Sequence, residues 1–254
     1  MSEPLFTPER LQQFAAIGFV VVPQLAPARR VRALRAAALA HLAAGAAPAE
    51  YEADLHYPGA PPARDAPGGA TVRRLLQAYA RDSVFRDWAT APEIAAPLQQ
   101  ILGSAVMLSQ THHNCIMTKQ PRYSSETGWH QDIRYWSFER PELVSVWLAL
   151  GREFPENGCL SFLPGSHNMA FARDQLDDAL FLRPGDRLNQ ELIATRVTPV
   201  LEPGDAVFFH CRTLHAAGSN RTDETKFSVV FTYHAADNHP LPGTRSRSLP
   251  SIPL

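Results

Sequence analysis

The pattern of apolar and polar positions changes near residue 104. Before it, apolar side chains recur at helical spacing; after it, short apolar runs alternate with turns. "TPERLQQFAAIG" offers Thr7 as N-cap, Pro8 at the first helical position and Gly18 as the stop, which predicts a helix. "GFVVVPQL" reads as a short buried strand. "APARRVRALRAAALAHLAAG" places Val31, Leu34, Ala38 and Leu42 on one helical face, with the arginines largely elsewhere. "TAPEIAAPLQQILG" has Thr90 and Glu93 at capping-box spacing and stops at Gly103. Residues 44–69 hold five prolines and four glycines with little periodicity, which reads as a long loop, either disordered or a lid.

Past residue 104, "AVMLSQTHHNCIMTK", "ELVSVWLAL", "GCLSFL", "ATRVTPV", "DAVFFH" and "KFSVVFTYH" read as strands. "PENG", "LPGSH" and "EPGD" are the turns between them. Helices followed by many short strands predict a mainly β protein with α, a sandwich or barrel carrying a helical layer on one face. The expected organisation is a single domain over 1–254: a mostly helical part (1–103), a β core (104–235) and an extended tail (236–254).

Composition narrows the function. The chain has 254 residues, enough for a substantial core in one domain. Its net charge of -1 gives no electrostatic support for a nucleic-acid or acidic-membrane partner. The basic run "RRVRALR" reads as a solvated helix face. No apolar run approaches a membrane span, and "MSEPLFTPER" shows no signal-peptide core. Cys115, Cys159 and Cys211 are odd in number and form no CxxC pair, so neither a disulfide framework nor a structural zinc site is expected; a cytoplasmic location fits.

The candidate chemistry lies in "GWHQDIRYW", residues 128–136. On an extended strand, residues i and i+2 face the same way, so His130 and Asp132 project together. HxD alone is a weak signal in a chain with ten histidines. "EPGDAVFFHCRTLHAAGSN" offers His210 and His215 as the third ligand. Two histidines and one carboxylate with open positions form the facial triad of non-haem Fe(II) oxygenases.

The ordered set of H-x-D, "NGCLSFLPGSH" and "EPGDAVFFHCRTLHAAGSNRTDETKFS" resembles the phytanoyl-CoA dioxygenase family, over roughly residues 10–235. The resemblance implies a double-stranded β-helix (jelly-roll, cupin-like) core with N-terminal helices packed on one face. It implies Fe(II), with 2-oxoglutarate and O2 as cosubstrates. It also implies His130, Asp132 and His215 as the catalytic metal ligands. His215 is preferred to His210 because the family's distal histidine precedes a small-residue run and Asn, here "HAAGSN". Eleven residues after that histidine the family typically has an arginine for the distal carboxylate of 2-oxoglutarate; here Lys226 stands there. Lysine offers a point charge where arginine offers a bidentate fork. Ser228 would add a donor, and Arg221 is the other candidate cation.

By the same resemblance Trp147 lies beside the cosubstrate and Arg73 or Arg74 approaches the site. Lys119 and Gln110 are candidate polar wall residues, and Gln131, Arg134, Tyr135 and Trp136 candidate substrate contacts. The implied reaction oxidises an unactivated C–H bond of a small-molecule metabolite, with release of succinate and CO2. Two other readings stand beside it. One is a cupin-like metal-dependent isomerase or hydrolase without 2-oxoglutarate. The other is a non-catalytic small-molecule binding protein, against which the intact triad argues. "PGSHN" is not a GxSxG elbow, so serine hydrolysis is a poorer fit.

Overall fold

The computed structural model describes residues 6–55 and 57–254. Helix α1 (Pro8–Ile17) begins at Thr7, whose side chain accepts the Arg10 N–H, and ends at Gly18 in the left-handed region that glycine favours. β1 (Phe19–Val22) follows, then α2 (Ala28–Ala43), which buries Val31, Leu34 and Ala38. The proline-rich stretch read as a loop contains β2 (Ala49–Tyr51), paired antiparallel with β3 (Val72–Leu76). Pairing with β3, rather than any apolar period of its own, fixes that strand.

α3 (Ala78–Arg81) and α4 (Ser83–Ala89) precede α5 (Pro92–Leu102). The Thr90 cap expected for α5 is not used. Ala91 is its N-cap, and the Thr90 hydroxyl instead donates to the Arg86 carbonyl of α4. The single strand expected over "AVMLSQTHHNCIMTK" is two, β4 (Val106–Ser109) and β5 (Cys115–Lys119), separated by a turn in which His113 has φ +42°. β6 (Thr127–His130), β7 (Leu143–Ala149) and β8 (Leu160–Phe162) come next. A short helix, α6 (Arg187–Ile193), precedes β9 (Ala206–His210), β10 (His215–Ala217), β11 (Lys226–Ala235) and β12 (Ile252–Pro253). "ATRVTPV" contributes only an isolated bridge, Val197 to Phe162.

The strands form two antiparallel sheets, as expected of a double-stranded β-helix. The nine-stranded sheet runs β1-β9-β7-β11-β5-β3-β2, with β4 also on β11 and β12 on β4; the three-stranded sheet runs β6-β10-β8. Three strands of the large sheet thus come from before residue 104.

Strict alternation sorts the large sheet's side chains. Val144, Val146 and Leu148 of β7, Phe208 of β9 and Phe227, Val229, Phe231 and Tyr233 of β11 pack in one cluster with Phe14, Leu34, Trp88 and Leu98 of the helices. The opposite face sends Trp147, Val207, Phe209 and Val230 against Leu160 and Phe162 of the small sheet. Lys226 and Ser228 share the parity of Val230, so the fold puts an ammonium and a hydroxyl between the sheets.

Candidate metal centre

His130 and His215 are direct partners across β6 and β10, with ring centroids 4.3 Å apart. The extended conformation expected through Asp132 is not what forms. β6 ends at His130, and Asp132 opens a 3₁₀ turn, Asp132–Tyr135. The turn still carries the carboxylate back over the histidines: Asp132 Oδ1 lies 3.4 Å from Nε2 of both His130 and His215. One donor atom from each residue lies within 4.8 Å of the other two. Ligands at right angles around an ion, each about 2.1 Å from it, sit about 3 Å apart, so this is a near-formed cation site.

Hydrogen bonding sets the imidazole tautomers. His130 Nδ1 donates to Gly128 O at 2.8 Å, and His215 Nδ1 donates to Thr213 O at 3.0 Å. Each Nε2 lone pair is left for a metal, with the ring fixed by the backbone. Phe209 packs its ring 5.0 Å from His215 and Phe181 packs 5.3 Å from His130, which holds both planes. Asp132 is fully buried, and neither of its oxygens has a hydrogen-bond partner among the described residues. A buried carboxylate without donors is costly unless a cation compensates it. Burial opposes its ionisation, but the neighbouring His113 and His215 hold the carboxyl well below the usual range. Burial lowers His130; for His215 burial is outweighed by Asp132 and the imidazole is raised.

His113 was missed by sequence reasoning. Its Nε2 approaches the same Asp132 oxygen at 3.4 Å, and burial holds it down to about 3. Only the break between β4 and β5 brings it there.

A narrow cavity between the sheets is lined by the triad together with Arg73, Arg74, Lys119, Trp147 and Lys226. Arg221 is not among its lining residues. Lys226 Nζ lies 3.1 Å from Glu153 Oε2, and the other Glu153 oxygen accepts from Trp147 Nε1 at 3.0 Å and Ser228 Oγ at 2.6 Å. Glu153 is fully buried and was also missed. A lysine opening the apolar strand "KFSVVF" signals that a buried partner must exist, but not which residue supplies it. Arg73 pairs with Glu52 at 3.1 Å and donates to Ser125 and Thr127, bracing the segment that leads into β6.

The residues expected to touch substrate separate. The Gln131 amide donates to Arg212 O at 2.6 Å, and Trp136 packs with Phe138, Leu143 and Cys211. The Arg134 guanidinium lies 4.3 Å over the Phe181 ring. Tyr135 lines a larger cavity of about 700 Å³, whose walls include Tyr57, Arg74, Gln110, His112, His113 and Arg245. Arg74 and His113 belong to both cavities, so the two adjoin.

His210, the rejected third ligand, points away from the triad. Its Nδ1 accepts from Arg212 N–H at 3.1 Å, and its ring faces His167 at 5.5 Å. Burial, then His167 and Arg212, push it down to about 4. Protonation would destroy that acceptor. The unfolded chain takes up the proton near 6.5 and the folded chain only near 4. Stability is therefore present above 6.5 and lost as pH falls toward 4, by about 3 kcal/mol for this group. Denaturant unfolding at pH 7 and pH 4.5 should show a smaller acid loss in His210→Gln than in the parent chain. Equal losses would remove His210 as a source of acid sensitivity.

A family model described as phytanoyl-CoA dioxygenase (PhyH) matches residues 14–228. The chain belongs to that family. Among the family's curated relatives, human peroxisomal phytanoyl-CoA dioxygenase is 28% identical over 174 residues, covering 65% of this chain and 50% of the relative. Ectoine dioxygenase from Streptomyces avermitilis is 26% identical over 247 residues, covering 90% and 78%. The chain spans about half the length of the human relative and of a Caenorhabditis elegans one. The epimerase SnoN, solved in complex with Fe3+, alpha ketoglutarate and nogalamycin RO, superposes with a TM-score of 0.72 at 26% identity, covering 98% of this chain and 96% of that one. EctD from S. alaskensis, at 21% identity and TM-score 0.75, covers 95% of this chain and 80% of its own and supports the fold.

Proposed function

We propose that this phytanoyl-CoA dioxygenase family member is an Fe(II)- and 2-oxoglutarate-dependent dioxygenase. It oxidises an unactivated C–H bond of a small-molecule metabolite and releases succinate and CO2. The observation that carries the reading is the buried His130–Asp132–His215 donor set, with both histidine tautomers fixed for metal and a carboxylate that no protein donor satisfies. Iron and its cosubstrates supply the oxidising chemistry when bound. The protein contributes placement and exclusion of water.

His130, Asp132 and His215 would hold the iron. Trp147 walls the cosubstrate space, and Lys226, paired with Glu153, lines the same cavity. The substrate occupies the adjoining cavity of about 700 Å³, a volume suited to a compact metabolite. Tyr135 and Gln110 face it there. Arg134 shapes its approach through Tyr135 and Phe181, while Gln131 and Trp136 hold the metal turn in place. Arg73 keeps β6 in position through Thr127.

No helix among the described residues is long and apolar enough to cross a membrane. Cys115, Cys159 and Cys211 are buried and free, and burial pushes their thiols up to about 12, 11 and 12. They are inert cysteines of a kind that suits the reducing cytoplasm, where we place the protein.

The test is an anaerobic titration of apo-protein with Fe(II), then 2-oxoglutarate. A visible charge-transfer band should appear on the second addition. Iron binding with no band would sink the oxygenase reading in favour of metal chemistry without this cosubstrate.

A further inference from the structure

Two histidines, His112 and His113, stand together in the turn between β4 and β5, and neither is a member of the donor set. Yet Nε2 of His113 lies 3.4 Å from Asp132 Oδ1, the same distance from the same atom as Nε2 of His130 and of His215. The donors that lie within 4.8 Å of one another are those of His130, Asp132 and His215, so His113 approaches the carboxylate from outside the ligand set.

Hydrogen bonding separates the three rings. His130 and His215 donate their Nδ1–H to the carbonyls of Gly128 and Thr213, which leaves each Nε2 a bare lone pair. His113 has no such acceptor: its Nδ1 is buried and has no hydrogen-bond partner among the described residues. A proton on Nδ1 would be an orphaned donor, whereas a proton on Nε2 faces a carboxylate. The ring therefore turns an N–H to Asp132, and it does so charged or neutral. A nitrogen that carries a proton does not ligate a metal.

The backbone holds this ring under strain. His113 has φ +42°, in the left-handed region that non-glycine residues seldom occupy. Asn114 fixes the turn. Its side chain accepts from the Tyr79 N–H at 2.8 Å and donates to Gln110 O at 3.3 Å, and its carbonyl accepts from the Ala78 N–H at 2.9 Å. The rings of Trp136 and Tyr135 lie 4.9 and 5.3 Å from the imidazole. Such strain persists where the surroundings over-determine it. Here they aim one N–H at a buried oxygen that no other donor satisfies among the described residues.

We propose that His113 is a positioning residue of the metal centre: its Nε2–H holds the Asp132 carboxylate, so that one lone pair of Oδ1 is occupied and the other is presented to the ion. This rests on the metal centre proposed above.

The test is anaerobic calorimetry of Fe(II) binding to the apo-protein, without cosubstrate, in the parent and three variants. Gln carries an amide N–H where His carries Nε2. Asn carries one only where His carries Nδ1, but it suits the left-handed backbone best, and Leu carries neither. His113→Leu and His113→Asn should each weaken Fe(II) binding by about 10–100-fold, the range for losing a group that orients a metal ligand. His113→Gln keeps the donor and should stay within about threefold of the parent. Melting of each metal-free variant reports the fold, and if His113→Leu does not fold, the comparison of Gln with Asn still decides. A part confined to shaping the turn gives the reverse order, with Asn binding iron better than Gln, and overturns the proposal. Equal losses in Gln and Leu would make His113 a ligand and overturn it too, as would unchanged affinity in all three variants. In each of these cases the parent still binds iron and the oxygenase reading stands. A parent chain that binds no Fe(II) removes both.

Discussion

Asp132→Ala is expected to abolish iron-dependent turnover and, with it, the stabilisation that metal confers on the fold. Asp132 is the only anion of the triad, and its Oδ1 is the point on which the His130 and His215 nitrogens converge at 3.4 Å. Without it, two neutral imidazoles remain, and a hard divalent ion loses its charged oxygen ligand. Metal catalysis is worth several kcal/mol in the transition state, and each 1.36 kcal/mol is tenfold in rate, so the loss should be about 10³-fold or greater. Activity alone would not separate a lost ligand from a damaged fold. Anaerobic melting with and without Fe(II) does. At about 100 times its dissociation constant, a metal stabilises the native state by about 2.7 kcal/mol, which for a chain of this size is a rise of roughly 5–10 °C. The parent should show that rise and Asp132→Ala should not. His210→Gln should keep it, because that histidine bonds Arg212 outside the site. An unchanged rise in Asp132→Ala would mean that iron binds elsewhere.

The donor set was legible in the sequence because its spacing is local. His130 and Asp132 stay together whether the segment is strand or 3₁₀ turn, so the two side chains meet although the expected local conformation is not the one that forms. The choice of His215 over His210 came from family resemblance, and β10 places it directly opposite His130. The helices α1 and α2 and the long strand β11 were legible from caps and from alternation. β2 was not, since three residues in a proline-rich stretch become a strand only through pairing with β3. What the sequence hid most completely is charge balance at long range. Glu153 reaches Lys226 across 73 residues, and Glu52 reaches Ser125 across the same separation. His113 reaches Asp132 because a turn interrupts an apolar run. A lysine in a buried strand announces a cost; only the folded chain shows which carboxylate offsets it.

The buried Lys226–Glu153 pair yields an expected split between stability and binding on changing Glu153. Glu153→Gln keeps the shape and can keep bonds to Trp147 and Ser228, but it strands the Lys226 ammonium in a site 5% exposed. Breaking a buried pair from one side typically costs about 3–5 kcal/mol, because the remaining charge has neither water nor partner. The expected loss is about 3 kcal/mol, or roughly 10 °C in melting temperature for a chain this long. Adding Lys226→Met removes the stranded charge and should recover at least about half of that loss, a coupling readable in a double-mutant cycle. Additive losses would mean that the two side chains act independently despite their 3.1 Å contact. Cosubstrate binding should move differently. Glu153→Gln removes a negative charge beside the cavity and frees the Lys226 ammonium that lines it, so 2-oxoglutarate should bind at least as tightly as to the parent. If Glu153 instead oriented the working anchor, affinity would fall together with stability. A less stable protein with undiminished affinity is therefore the outcome that assigns Glu153 to the scaffold, as the charge that offsets Lys226 rather than one that helps hold the cosubstrate.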